Sequence, residues 1–243
     1  MMANRIHPTA VVGPGVQLGD GNIVGPYTVI YGPCRIGDGN WIGPHVSIGG
    51  PAEFLHAPHP AGWVDEPAGA GVIVGDRSRI REFVTINQGV HEATQVGDAC
   101  YLMGRSHLGH DAVIGDDVVL ASAVQLAGHV RVGDWANLGL GTVVHQRTRI
   151  GPGAMVGMGS AVRRDAPPFS ITVGNPARTT GVNRIGLIRL GCSEAAVDEM
   201  VEHLAGRRDL PADLPTAIRD VLVAWAKDAT DTAETTPSAT GDT

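Results

Sequence analysis

The stretch that decides the fold runs from Val96 to Ala166: VGDACYLMGRSHLGHDAVIGDDVVLASAVQLAGHVRVGDWANLGLGTVVHQRTRIGPGAMVGMGSAVRRDA. Every sixth residue from Val96 is aliphatic, through Leu102, Leu108, Ile114, Leu120, Leu126, Val132, Leu138, Val144, Ile150, Val156 and Val162. That spacing is neither the roughly 3.6-residue period of a helix nor the simple alternation of a strand. A second track, four residues behind each of these, holds only small or β-branched residues: Cys100, Ser106, Ala112, Val118, Val124, Val130, Ala136, Thr142, Thr148, Ala154, Ser160 and Ala166. One large and one small inward residue per hexad predict an all-β solenoid, a parallel β-helix of hexapeptide repeats.

The large track extends toward the N-terminus through Ile6, Val12, Leu18, Val24, Ile30, Ile36, Ile42 and Ile48, and resumes after an interruption at Val74, Ile80 and Ile86. Eight, three and twelve hexads make twenty-three in all, or between seven and eight three-sided coils. The turns carry Gly-Pro and Gly-Asp pairs (Gly13-Pro14, Gly19-Asp20, Gly25-Pro26, Gly37-Asp38, Gly43-Pro44). Such pairs are expected to supply a positive or a fixed φ at each corner. The interruption, residues 49–71 (GGPAEFLHAPHPAGWVDEPAGAG), has no period, and a loop of this length inside a compact domain is usually functional. A shorter break covers residues 87–95.

Beyond Pro167-Pro168 the hexads stop. Ser193 to Gly206 reads as a helix with Ser193 as its N-cap, and Asp213 to Ala229 as another, apolar at Leu214, Ile218, Val221, Leu222 and Trp225. The organisation expected is therefore a β-helix domain over residues 1–182 with an inserted loop at 49–71, a helical cap over 183–229, and a disordered polar tail over 230–243.

Composition narrows the function. With 34 glycines and 4% aromatic residues, the chain suits a thin solenoid core. The net charge of −7 and the lack of a basic tract argue against nucleic acid as a partner. No apolar run is long enough to span a bilayer, and no signal peptide is evident. The three cysteines, Cys34, Cys100 and Cys192, are far apart and lack metal-type spacing, which points to a reducing, cytoplasmic setting. Cys34 and Cys100 fall on the small inward track as core filler. His110, two residues after inward Leu108, falls at an outward position. Asp111 follows it, and His129 occupies the same hexad position as Asp111 one coil later. His107 and His145 complete the group.

Six strings occur in order: Gly75-Asp-Arg-Ser-Arg-Ile-Arg-Glu82, Ser106-His-Leu-Gly-His-Asp111, Leu126-Ala-Gly-His-Val130, Val144-His-Gln146, Gly174-Asn-Pro176 and Gly181-Val-Asn183. In combination, from about Ile6 to Gly191, the chain resembles the acyl-carrier-protein-dependent UDP-N-acetylglucosamine O-acyltransferases, which begin lipid A synthesis. The resemblance implies a left-handed coil and a homotrimer with active sites in the clefts between subunits. It implies no bound cofactor, an acyl carrier protein whose phosphopantetheine thioester is the donor, and a nucleotide-sugar acceptor acylated on a hydroxyl, the 3-OH in the family. In its terms His110 is the general base, Asp111 orients it, and the backbone N–H of Gly128 is the oxyanion donor. His107, His129 and His145 read either as contacts to substrate or pantetheine or as a solvated face. Gln146 and Asn183 match acyl-donor or nucleotide contacts, Arg189 matches an arginine near the nucleotide, and Met158 stands at the position that measures acyl length, where it favours shorter chains.

General base catalysis suits this chemistry. A sugar hydroxyl is a weak nucleophile, and removing its proton during attack is worth on the order of 10²–10⁴-fold. An imidazole is the side chain suited to that task near neutrality. The chain also departs from the family. Its long loop lacks the Gln-Asp-Leu-Lys string used against the sugar, leaving Glu53, His56 and His59 as substitutes. Asn87 stands where the family commonly has His, Ile185 replaces an acidic residue, and the helical part is short. Seventeen of the 18 basic residues are arginines, and Arg184, Arg189, Arg207, Arg208 and Arg219 offer a local attraction for an acidic carrier protein. Zinc sites of γ-type carbonic anhydrases occur on this fold, but His107 and His110 lack their histidine spacing, and no metal is expected. Two other readings suit the same repeats: a coenzyme A-dependent N-acyl- or acetyltransferase acting on an amino sugar, and a non-catalytic scaffold.

Overall fold

The structure is a computed structural model that describes residues 2–57, 59 and 69–234. Much of the expected loop (60–68) and of the expected tail (235–243) lies outside the described residues. The backbone separates into two compact units, Met1–Asn183 and Arg184–Thr243.

The first unit is a parallel β-solenoid. Its described strands are distributed in rotation over three sheets of ten, eight and seven, and among them only the closing pair, Ser170–Gly174 with Ala177–Val182, is antiparallel. The twenty-three strands before that pair match the twenty-three hexads one for one. Stacking is in register: Leu102 pairs with Leu120, Leu120 with Leu138, and Leu138 with Val156. From Val24 to Val162 no residue of the large track is more than 3% exposed, and the small track beside it from Cys100 to Ala166 is buried throughout. Each large aliphatic side chain so enclosed favours folding by roughly 1.5–3 kcal/mol over leaving it in water. The first coil is open at its end, where Ile6 is 43% and Val12 38% exposed.

Successive coils are eighteen residues apart except at the closing turn, where Met155 pairs with Ile171, and at two places before it. Asp38 N–H reaches Asp76 across 38 residues, and Asp76 N–H reaches Asp98 across 22. The extra chain at each place is the long loop and the short break. Both emerge after strands of one sheet, Ser47–Gly50 and Thr85–Asn87, and therefore at one corner.

The corners correct one expectation. None of the glycines in the pairs quoted above has a positive φ. The left-handed residue lies two positions further on and is often not glycine, as at Tyr27, His45, Arg77, Phe83, Ala99, Asp111 and His129. The Gly-Asp pairs answer a different need. A Cβ on Gly19, Gly37, Gly75, Gly97 or Gly115 would collide with the carboxylate of the aspartate one coil on. That carboxylate must come close because its Oδ1 accepts the backbone N–H of the aspartate below: Asp38 from Asp20 at 2.7 Å, Asp98 from Asp76 at 2.8 Å, Asp116 from Asp98 at 2.7 Å and Asp134 from Asp116 at 2.9 Å.

The second unit holds α1 (Arg184–Arg189), α2 (Glu194–Leu204) and α3 (Thr216–Glu234). Ser193 caps α2, its hydroxyl accepting the Ala196 N–H at 3.2 Å, and the helix buries Ala196, Val197 and Met200. The short α1 was not foreseen from the sequence. The last helix also runs past residue 229, because nothing between Trp225 and Glu234 is a glycine or proline that would stop it. Residues 230–234 are thus helix rather than tail. No described helix is long and apolar enough to cross a membrane.

Candidate active site

Leu108 points into the core, so the chain must turn just after it, and this places His110 and Asp111 on the corner. Asp111 takes the left-handed φ of 58° that the corner requires, a conformation that aspartate tolerates better than most residues. Its N–H is held by the buried Thr94 hydroxyl at 3.0 Å. Its side chain is wholly buried, yet every acceptor position is used. Oδ1 accepts the N–H groups of His91 (2.7 Å) and Glu92 (2.8 Å), and Oδ2 accepts the N–H of Val90 (3.1 Å) and Nδ1–H of His110 (2.7 Å). Burial alone would push this carboxyl up. The hydrogen bonds from Glu92, His110, Val90 and His91 outweigh it and hold Asp111 well below the usual carboxylate range.

An ionised carboxylate can only accept, so the proton of the His110–Asp111 bond belongs to Nδ1 and the lone pair of His110 lies on Nε2. That atom faces Gly128 on the next coil. A Cβ built on Gly128 would stand 2.5 Å from His110 Nε2, so only glycine lets the imidazole occupy this place. The neighbouring amides are committed, Ala127 N–H to Val144 at 3.1 Å and His129 N–H to His110 at 2.9 Å. Among the described residues the Gly128 N–H has no acceptor.

Aromatic neighbours surround the dyad. His129 meets His110 edge to face at 5.0 Å, and His91 stacks on His129 at 6.0 Å. Burial pushes the His129 imidazolium toward the neutral form, with Arg147, His110 and His91 acting in the same direction and Asp111 against them. His107 lies on the strand leading to the corner, its Nδ1 2.8 Å from the Thr85 hydroxyl and its Nε2 4.0 Å from the Glu53 carboxylate. Burial depresses its pKa, and Glu53 opposes the shift. Phe54 approaches His110 at 5.8 Å between ring centres and carries His56 on its edge. The beginning of the long loop thus reaches the site through Glu53 and Phe54. His59 makes its contact locally, to the Ala57 carbonyl at 3.0 Å.

Of the residues singled out in the sequence, His107, His110, Asp111, Gly128 and His129 come together. His145 and Gln146 are exposed on the same corner one coil beyond Gly128, His145 Nδ1 lying 3.1 Å from the Gln146 carbonyl. Met158 does not join them. It is 75% exposed at a different corner, after the strand Met155–Val156. Asn183 closes the antiparallel pair, its N–H reaching Phe169 at 2.6 Å and its Nδ2 reaching Gly153 at 2.9 Å. Arg189 belongs to the second unit. The sequence reading missed His91, Thr85, Thr94, Phe54 and the amides of Val90 to Glu92. The four-residue excess of the break at 87–95 was the available signal for the last of these.

His110, Asp111 and His129 present nitrogen and oxygen atoms within 4.8 Å of one another, a spacing a metal ion could use. The hydrogen bonds favour a proton-transfer dyad. All four lone-pair directions of Asp111 are filled, so coordinating a cation would break at least one of those bonds.

Comparison with known proteins finds relatives over most of the chain. The chain is 44% identical over 210 residues to the acyl-[acyl-carrier-protein]–UDP-N-acetylglucosamine O-acyltransferase of Thiobacillus denitrificans, covering 80% of this chain and 81% of that one. It is 44% identical over 146 residues to the enzyme of the same name from Burkholderia thailandensis, spanning 59% of this chain and little more than half, 55%, of that relative. Among solved structures, UDP-N-acetylglucosamine O-acyltransferase from Moraxella catarrhalis superposes with a TM-score of 0.71 at 28% identity, over 94% of this chain and 93% of that one. The UDP-N-acetylglucosamine acyltransferase from Campylobacter jejuni gives 0.69 at 28% identity, over 97% and 92%. No family model matches the chain.

Proposed function

The chain belongs to the acyl-[acyl-carrier-protein]–UDP-N-acetylglucosamine O-acyltransferase family, and from that premise we propose that it transfers a (3-hydroxy)acyl group from acyl carrier protein to a hydroxyl, the 3-OH, of UDP-N-acetylglucosamine, the first step of lipid A biosynthesis. The observation that carries the assignment is the His110–Asp111 pair, with Nδ1 tied to a buried carboxylate and Nε2 turned toward Gly128.

In this reading Nε2 of His110 takes the proton of the sugar hydroxyl as its oxygen attacks the thioester carbonyl carbon. The imidazolium so formed is stabilised by Asp111, which stays ionised because four N–H groups point at it. The carbonyl oxygen acquires negative charge, and the uncommitted Gly128 N–H is the donor proposed for it. Collapse of the tetrahedral species breaks the C–S bond, and the departing phosphopantetheine sulfur recovers the proton from Nε2. His107, His129, His145 and Gln146 are assigned to the substrate and pantetheine, and Asn183 and Arg189 to contacts completed by a homotrimer. The reaction needs no bound cofactor, and its carrier-protein donor places it in the cytoplasm.

A mass-spectrometric transfer assay with UDP-N-acetylglucosamine and 3-hydroxyacyl carrier proteins of several lengths tests this. The wild-type chain should give product, and His110→Ala should lose on the order of 10²-fold or more in kcat. Equal turnover by the variant would remove His110 from the mechanism.

A further inference from the structure

We propose that the tight turn Gly89–Glu92, outside the hexad pattern, is the device that keeps His110 in its catalytic tautomer, and that Gly89 is a positioning residue for the acyl transfer. This rests on the role of His110 given above but concerns what makes that role possible.

The turn has one chemical output. Three consecutive amides, those of Val90, His91 and Glu92, converge on one buried carboxylate at 2.7–3.1 Å. Convergent backbone N–H groups form a small anion-binding concavity. Here the anion is supplied by the chain itself. With both oxygens so engaged, Asp111 cannot rotate, and its remaining lone pair is directed at His110 Nδ1. The proton is thereby kept on Nδ1, and Nε2 stays free to act as base.

Gly89 makes the turn possible. A Cβ there would collide with the Glu92 carbonyl and stand 3.2 Å from the Thr94 nitrogen, both backbone atoms that cannot swing aside. The turn is fastened at both ends. Gly89 N–H donates to Gly71 at 3.1 Å, Ala70 N–H donates to Gly89 at 2.8 Å, and Thr94 N–H donates to Gly71 at 3.1 Å, which ties the turn to the exit of the long loop. On the other side Glu92 pairs with Arg131 at 2.7 Å.

Among the described residues Asn87 Nδ2 and Gln88 Oε1, just before the turn, have no hydrogen-bond partner, so these side-chain atoms do not fix the segment; the backbone bonds to Gly71 and the three amide bonds to Asp111 do.

The test uses the full chain labelled with ¹⁵N-histidine and follows the His110 ring nitrogens by NMR. Gly97→Ala serves as control, since its Cβ also collides with a neighbouring coil but at another corner. Wild type and Gly97→Ala should show His110 protonated on Nδ1. Gly89→Ala should show a mixture of tautomers and, in the transfer assay, a kcat lower by on the order of 10-fold with KM for both substrates within about two-fold. Gly89→Ala with an unchanged His110 tautomer, or with KM raised and kcat intact, would overturn the proposal. Should Gly89→Ala fail to fold, Arg131→Met, which frees Glu92 at the surface, must shift the tautomer in the same direction, and an unchanged spectrum there would equally overturn it. The spectrum reports on the turn even if the wild-type chain proves inactive with these substrates, an outcome that would count against the assigned reaction alone.

Discussion

Asp111 holds a charge in a place where charge is normally costly, and this gives it a pH signature. Its native pKa lies below the roughly 3.9 of an unfolded aspartate, so the folded state prefers the anion. The stabilisation is present above that unfolded value and fades as pH falls through the native one. Asp111→Asn cannot titrate and turns an NH₂ toward donors. It should unfold at lower urea than wild type at pH 7, with the gap narrowing below about pH 4. A gap that is constant with pH would mean the charge contributes nothing. Met158 raises a question of the same size. At 75% exposure it is not packing within its own chain, and a large thioether left in water is available to limit a ligand. Met158→Gly should move donor preference toward longer acyl chains in the transfer assay. An unchanged length profile would retire the assignment.

At the scale of the element, the corner is the unit that repeats, and it was only partly legible. The inward tracks could be read because side-chain size repeats with the coil. The glycine rule was misread because sequence reports a residue's own torsion preferences and not what the next coil brings against it. For Gly97 the reason is Asp116, and the same blindness hid the convergence of Val90, His91 and Glu92 on Asp111. Backbone amides leave no trace in residue type. His110, Asp111 and Gly128 were found through local motifs, whereas Phe54 and Thr85 come from strands and loops one or two coils away. The aspartate column makes a prediction of its own. Asp116 accepts an N–H through Oδ1 while standing between Asp98 and Asp134 of like charge, and Asp134 is pushed up chiefly by burial, opposed by the hydrogen bond from the Asp116 N–H and aided to a lesser extent by the Asp116 and Asp117 charges. Asp116→Asn keeps the acceptor and removes the repulsion, so its urea midpoint should equal or exceed that of wild type. Asp116→Ala strands the Asp98 N–H and should cost about 1 kcal/mol. If both variants fall equally, the hydrogen bond is not what holds the column.

For the molecule as a whole, stability in the solenoid is a sum over neighbouring coils, and a whole coil should be removable without loss of register. Deleting residues 7–24 lets Ile6 take the place of Val24, its partner in the sheet. Because the first coil is the least enclosed, the shortened chain should remain folded with a modestly lower Tm by calorimetry. Inside the solenoid, deleting residues 121–138 should likewise keep register, since Leu120 would replace its partner Leu138, whereas deleting only residues 121–132 would send every strand before the junction to the wrong sheet and should give a broad, poorly cooperative transition. Equal behaviour of these last two deletions would refute the coil as the cooperative unit. The open first coil bears on synthesis as well. A strand such as Arg5–Ile6 needs only the next eighteen residues to find its partner, so pairing can begin while most of the polypeptide is still to be synthesised. The coils before the long loop would then already be stacked when the His110 corner emerges, and each later segment would meet a finished edge of the sheet on which to add. Translation itself would set the order of assembly.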